Sequence, residues 1–178
     1  VASISKLLVA IGVMRLVDQG QISLEQDVSK YLGWELRNPL FPDRAVTLRM
    51  LLDHTSSVRD GTRYFIAAGE GRLKDFFDPN SKYWDAGGHW SDQIRETPGS
   101  YFEYANLNFG LIAEIIERMS GQRFDQFMQD EVIVPLGMTG SFNPCTLPRD
   151  QRAAGFRKRN ANDEWDPEGP WYAQVDGE

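Results

Sequence analysis

The sequence is poor in the residues that build disulfides and metal centres. Its 178 residues include one cysteine, Cys145, which excludes a disulfide within the chain. The two histidines, His54 and His89, are far apart, and neither belongs to a His-Glu-x-x-His spacing. We therefore expect no metal and no other cofactor.

Long apolar runs and an excess of basic residues are also missing. The longest apolar run, Leu7 to Leu16, is interrupted by Gly12 and Arg15 and is shorter than the ~18 residues that a membrane span needs. The formal net charge of −7 argues against a nucleic-acid partner. With 41% apolar residues and the length of one ordinary domain, the chain can still bury a core.

The apolar pattern predicts a helix-rich chain with little strand. Residues 5–18 are apolar on nearly every face, which is typical of a helix buried in a larger body, and Gly20 follows as its C-terminal glycine. A second strong helix is predicted from Asn106, as N-cap, to Gly121. Its apolar stripe consists of Leu107, Leu111, Ile112, Ile115 and Met119.

Weaker signals predict further short elements. Ser23 begins a capping box that predicts a short helix ending near Tyr31, and Thr47 is typical of a second N-cap. The remaining predictions are one or two helices between Asp60 and Trp84, a helix over roughly residues 123 to 132, and a hairpin turning at Asn160 to Asp163.

Ser3 and Lys6 are the first candidates for chemistry. At positions i and i+3 of a helix, their side chains lie on one face, about 5–6 Å apart at Cβ. A lysine can activate a serine hydroxyl when burial or a neighbouring cation lowers the lysine pKa. The partial positive charge of the helix N-terminus would stabilise a developing oxyanion. The same spacing is also typical of a serine cap followed by a surface lysine.

Tyr104 and Asn106 form a second candidate group. A tyrosine close to ammonium groups can act as a base or proton relay, because the positive charge favours phenolate. An asparagine two residues later, at a helix start, can hold a substrate amide and orient a lysine. The alternative is a core aromatic residue followed by an N-cap.

Two other motifs could also carry chemistry, but a structural role explains each of them better. Ser91-Asp92-Gln93 imitates the Ser-Asp-Asn triplet of some acyl-transfer enzymes, but it lies among turn residues and ends in glutamine. His54 could pair with Ser56 or Ser57, yet residues so close in sequence rarely face each other usefully. We interpret the triplet as loop and His54 as a residue that hydrogen-bonds its loop to the helix that the loop follows.

The order of these motifs resembles a known family. SISKLLVAIGVMRLVDQGQISLEQDVSKYL looks like a nucleophile helix with its following segment, and VTLRMLLDHTSSVRDG looks like an L-L-x-H-T-S-G loop with Ser57 in place of the usual glycine. PGSYFEYANLNFGLIAEIIERMSGQRFDQFMQDEVIVPLGMTGS is similar to a Y-x-N motif, its helix and a P-L-G-M turn. Together they resemble the serine β-lactamase-related family of class C β-lactamases, D-alanyl-D-alanine carboxypeptidases, D-aminopeptidases and related esterases.

The resemblance implies a two-step acyl transfer on a β-lactam, an ester or a D-amino-acid peptide. Ser3 would form an acyl-enzyme, and its backbone N–H would supply half of the oxyanion hole. Lys6 and Tyr104 would share the proton transfer, and Asn106 would orient the acyl side chain. The expected partner is a small-molecule or peptide acyl substrate. Relatives are often exported, which makes the periplasm or the exterior the implied location.

The family's third motif, K-T-G or H-x-G, does not occur in this sequence. The implied fold is therefore a helix-rich α+β, β-lactamase/transpeptidase-like fold with most of the central antiparallel sheet missing. We expect one partial domain over residues 1–178: a nucleophile helix (1–20), a helical region with the Y-x-N motif (21–145), and a hairpin or loop tail (146–178).

Three hypotheses follow. The chain is part of a serine hydrolase and is inactive alone, or it is a non-catalytic, ligand- or partner-binding relative of the same fold. A plain helical interaction domain would instead place Tyr104 and Lys6 far from Ser3. Without the missing sheet, one face of the nucleophile helix should be exposed and cause self-association.

Overall fold

The structure is a computed structural model that describes residues 2–67, 69–152, 155–158, 160–162, 166, 168–169 and 171–174, with residues 155–157 and 171–174 as backbone only. The chain divides into two compact units, Val1–Phe142 and Asn143–Glu178. In chain order, the α-helices are α1 (Ser5–Asp18), α2 (Ser29–Leu32), α3 (Leu48–Leu52), α4 (Asn106–Ser120) and α5 (Phe124–Met128).

Helix α1 has one buried face and one exposed face. The predicted bounds are confirmed, and Gly20 follows the helix with a left-handed φ of +70°. The buried face packs against α4 and α5, and Gly12 permits the close approach, since a Cβ there would lie 3.0 Å from the sulfur of Met128. The exposed face carries Ile4, Leu7, Ile11 and Met14. We call these four residues the α1 apolar face.

Helix α4 lies at the centre of the first unit, and α1, α2, α3 and α5 pack against it. Four members of its predicted stripe are fully buried and Met119 is partly buried, so the stripe is confirmed. The prediction of Asn106 as N-cap is wrong. Ala105 holds the cap position, and Asn106 is the first helical residue, because its side chain bonds to groups outside the helix.

Two short-element predictions are confirmed and two hold only in part. A short helix does end near Tyr31, since α2 ends at Leu32, but it does not begin at Ser23. The Ser23 hydroxyl accepts from Glu25 N–H in a turn, and α2 begins only at Ser29, whose N–H donates to Asp27. Among the described residues of 60–84, the helical structure is a 3-10 turn, Leu73–Phe76. Thr47 does cap α3, and α5 continues as a π-helical turn, Gln129–Ile133.

The second unit contains a two-stranded antiparallel sheet. Strand β1 (Gly155–Lys158) pairs with β2 (Trp171–Gln174), with Gly155 opposite Gln174 and Lys158 opposite Trp171. The predicted turn at Asn160 to Asp163 falls within the connection between these strands, and Asp163 lies outside the described residues. In the part of the chain that the structure covers, the helices are too short or too polar to cross a membrane.

Candidate active site

The side chains of Ser3, Lys6, Tyr104 and Asn106 meet where α1 begins beside the start of α4. Ser3 Oγ lies 2.7 Å from Tyr104 Oη and accepts a hydrogen bond of 3.3 Å from Lys6 Nζ. Lys6 Nζ also donates to Asn106 Oδ1 at 2.9 Å. Four residues from two distant parts of the sequence therefore form one hydrogen-bonded cluster, which we call the Ser3 cluster.

The geometry excludes the simpler interpretation of Ser3 and Lys6. Ser3 lies in the 3-10 turn Ala2–Ile4, the N-cap position of α1 is Ile4, and no side chain caps that position. Lys6 is half-buried rather than a free surface residue. A plain helical domain, which would hold Tyr104 and Lys6 away from Ser3, is contradicted by the direct contacts.

Tyr104 has an altered acidity in this cluster. Hydrogen bonding of the Lys6 ammonium, followed by that of the Ser3 hydroxyl, lowers the pKa of the Tyr104 phenol below its usual value of 10. The Lys6 Nζ also lies over the Tyr104 ring, 5.2 Å from its centroid. Because an ammonium donates and cannot accept, a Lys6 donation to Ser3 Oγ directs the serine hydrogen toward Tyr104.

Asp60 connects the Ser3 cluster to the start of α4. Its Oδ2 accepts from Asn106 Nδ2 at 2.8 Å, and its Oδ1 accepts from Leu107 N–H at 2.9 Å. A carboxylate at this helix end satisfies an otherwise unpaired N–H and is favoured by the helix dipole. The local sequence around Asp60 does not indicate this role, because the helix that Asp60 caps begins more than forty residues away.

His54 holds the backbone on both sides of Tyr104. Its Nδ1 accepts from Ala105 N–H at 3.2 Å, and its carbonyl oxygen accepts from Glu103 N–H at 2.8 Å. The imidazole also lies against the Tyr104 ring, with centroids 4.5 Å apart. Burial, followed by the positive charge of Lys6, lowers the pKa of His54 below 6.5, which favours the neutral ring that this acceptor role requires.

The hydroxyl groups after His54 serve the loop and are not paired with the imidazole. Ser56 Oγ donates to Asn108 Oδ1 at 2.7 Å, and Ser57 Oγ accepts from Asn38 Nδ2 at 3.2 Å. Ser57 has a φ of +66°, a conformation that glycine adopts without steric cost. The glycine of the loop motif that this segment resembles would adopt such a conformation without that cost.

The Ser91-Asp92-Gln93 triplet belongs to a different hydrogen-bond network. The Ser91 hydroxyl donates to the buried carboxylate of Glu96, which also forms an ion pair with Arg59 at 2.6 Å. The Gln93 amide donates to Asp92. These contacts agree with a loop role. Within the described ranges, histidine, cysteine and acidic side chains do not form a cluster of three that could hold a metal.

The fold places this protein among β-lactamase/transpeptidase-like proteins. The family model described as "Beta-lactamase" matches residues 1–177, and the chain belongs to that family. It is 28% identical over 142 residues to the D-alanyl-D-alanine-carboxypeptidase/endopeptidase AmpH of Escherichia coli K12, covering 78% of this chain and 34% of AmpH. It is 30% identical over 169 residues to penicillin-binding protein 4* of Bacillus subtilis, covering 87% of this chain and 33% of that protein.

A solved structure shows the same fold. The octameric penicillin-binding protein homologue from Pyrococcus abyssi superimposes with a TM-score of 0.68 at 25% identity, covering 98% of this chain and 38% of that one. The chain thus spans about a third of the length of the curated relatives it matches.

Proposed function

We propose that the protein is a serine hydrolase that transfers an acyl group through an ester on Ser3. The observation that supports this most is the position of Ser3 Oγ, which is within hydrogen-bond distance of both the Tyr104 phenol and the Lys6 ammonium. A hydroxyl becomes a nucleophile only when a neighbouring group takes its proton. Tyr104, with its lowered pKa, is the group best placed for this.

The proposed reaction has two steps. In the first, Tyr104 reacts as its phenolate, whose negative charge the Lys6 ammonium stabilises. Ser3 Oγ attacks the acyl carbonyl carbon while its proton passes to this phenolate oxygen, and the negative charge moves to the carbonyl oxygen. The tetrahedral intermediate then expels the leaving amine or alcohol, which takes the proton back from Tyr104. In the second step, water attacks the acyl-enzyme by the same proton route and releases the acid. The backbone N–H of Ser3 supplies one oxyanion donor, and Asn106 orients the acyl side chain.

The substrate class is a carbonyl compound with an amine or alcohol leaving group: a β-lactam, a short ester or a D-amino-acid peptide. The names of AmpH and penicillin-binding protein 4* support peptide and β-lactam chemistry in relatives. Because the third family motif is absent from this sequence, we propose that residues 1–178 alone are inactive or nearly so.

A fluorophosphonate, which reacts with activated serines, tests the proposal. The full-length protein should gain one covalent adduct at Ser3, detected by intact mass and peptide mapping, and the Ser3→Ala variant should gain none. Ser5→Ala is a matched control two residues away and should be labelled normally. Unlabelled full-length protein would contradict a hydrolase and favour a non-catalytic relative. A chromogenic cephalosporin, a p-nitrophenyl ester and a D-alanyl peptide would then separate the substrate classes.

A further inference from the structure

We infer that Asp60 is a positioning residue that sets which end of the Asn106 amide faces Lys6. The inference rests on the proposed function, because it assigns Asp60 a role in arranging the Ser3 cluster. Asp60 does not contact Ser3 in any described hydrogen bond, so it acts through Asn106 rather than on a substrate.

The amide of Asn106 lies between a positively charged and a negatively charged side chain. Its oxygen accepts from the Lys6 ammonium at 2.9 Å, and its nitrogen donates to the Asp60 carboxylate at 2.8 Å. An asparagine amide has an acceptor at one end and donors at the other, so only one orientation satisfies both neighbours. The carboxylate therefore keeps the Asn106 oxygen toward Lys6.

Asp60 is itself fixed by the backbone. Its second oxygen accepts from Leu107 N–H at 2.9 Å, and a backbone N–H can only donate. Helix α4 thus holds the carboxylate in place. Because both carboxylate oxygens accept, Asp60 keeps the Asn106 NH₂ group toward itself and the Asn106 oxygen toward Lys6. Lys6 in turn donates to Ser3 Oγ at 3.3 Å, so the orientation of one amide determines where the ammonium lies relative to the nucleophile.

The Asp60→Asn variant should reverse the orientation of the Asn106 amide. The oxygen of the introduced amide would accept from Leu107 N–H, and its NH₂ group would face the NH₂ group of Asn106. Asn106 would then rotate and turn its NH₂ group toward the Lys6 ammonium, where two donors oppose each other. The loss of a hydrogen bond to a charged group predicts that fluorophosphonate labelling of Ser3 slows by about 10- to 100-fold.

The matched control is Asp53→Asn, in the same loop segment. Asp53 Oδ1 accepts from Thr55 N–H and from the Thr55 hydroxyl, and the introduced amide keeps this oxygen. Labelling of this variant should stay within about twofold of the wild-type rate, since no charge-assisted bond to the Ser3 cluster is lost. The unfolding temperatures of both variants are measured in parallel.

A double exchange separates positioning from a purely structural role. In Asp60→Asn with Asn106→Asp, the new carboxylate at position 106 accepts from Lys6 and from the amide at position 60, whose oxygen accepts from Leu107 N–H. All donors again face acceptors. We expect the double variant to be labelled at least about tenfold faster than Asp60→Asn alone, even if both unfold at the same temperature.

The experiment is carried out on the full-length protein. A normal labelling rate in Asp60→Asn, or a double variant no faster than that single variant, would overturn the positioning role while leaving the proposed function intact. Failure of the wild-type protein to label at Ser3 would instead contradict the proposed function itself. Slow labelling of Asp60→Asn together with recovery in the double variant would support the inference.

Discussion

Tyr104 Oη lies 2.7 Å from Ser3 Oγ, although 101 residues separate the two in the sequence. His54 positions the tyrosine for this contact, because it bonds to the backbone of both residues that flank Tyr104. The tyrosine is 44% exposed, so packing alone does not hold its ring. The position of the phenol thus depends on a buried histidine from a separate loop.

Removal of the phenol should slow acylation of Ser3 without unfolding the protein. Because Tyr104 is the proposed proton acceptor, Tyr104→Phe should lower the rate of fluorophosphonate labelling by about 10²- to 10⁴-fold. Tyr101→Phe, at a similarly exposed tyrosine, is the matched control and should react normally. Equal labelling rates in the two variants would exclude Tyr104 from the proton transfer.

The acidity of Tyr104 should depend on Lys6. The ammonium lowers the phenol pKa, so Lys6→Met should raise it toward the ordinary value of 10. Tyrosinate absorbance, taken as the difference between each protein and the same protein with Tyr104→Phe, isolates this residue from the other five tyrosines. Lys30→Met serves as the control, because Lys30, on α2, bonds to Gln26 and its removal should leave the Tyr104 titration unchanged. An unchanged Tyr104 titration in Lys6→Met would contradict the assigned cause.

His54 should make stability depend on pH in a predictable direction. Its folded pKa lies below the unfolded value of 6.5, so the unfolded chain binds a proton first as the pH falls. The stability that the neutral ring contributes is present above pH 6.5 and is lost as the pH falls through the folded pKa.

His54→Asn keeps an acceptor at the δ position, tolerates the φ of +60°, and does not titrate. The free energy of unfolding should therefore fall less between about pH 7.5 and about pH 5.5 in this variant than in the wild type. An equal fall in both proteins would count against the His54 assignment.

The sequence predicted elements that depend on local pattern and missed those that depend on distant partners. Helices α1 and α4 were recognised because their apolar residues repeat over four turns. The start of α4 was misassigned, because its capping group, Asp60, comes from another segment. Ser23 does not begin a helix. Asp27, which lies closer to α2, instead accepts the hydrogen bond from the N–H of Ser29, the first residue of that helix.

The candidate site residues were predicted from a different kind of signal. Ser3 and Lys6 are one turn apart, so helix geometry alone places them together, but nothing local brings Tyr104 to them. The order of the motifs along the chain provided that link. The roles of Asp60 and of the His54 Nδ1 acceptor could not be predicted, because both depend on which atoms face each other in the folded chain.

Ser57 should cost stability because of its backbone conformation. Its φ of +66° disfavours residues with a Cβ, while its hydroxyl accepts a hydrogen bond from Asn38. Ser57→Ala keeps the strain and loses the bond, whereas Ser57→Gly loses both. The glycine variant should therefore be more stable than the alanine variant by about 1 kcal/mol in chemical denaturation. An alanine variant as stable as the glycine variant would show that the conformation carries no strain.

The α1 apolar face should drive self-association of the 178-residue chain. Leu7 is 68% exposed and Ile11 is 40% exposed, on the side of α1 opposite its buried core face. Two such faces that pack together remove apolar surface from water, so Leu7→Gln with Ile11→Gln should raise the dissociation constant at least about tenfold in sedimentation velocity. The matched control is Leu40→Gln with Ile94→Gln, which changes two exposed apolar residues outside this face and should leave association unchanged. A wild-type chain that stays monomeric at about 100 μM, a concentration at which micromolar association is visible, would contradict the prediction. So would equal weakening by the two double variants.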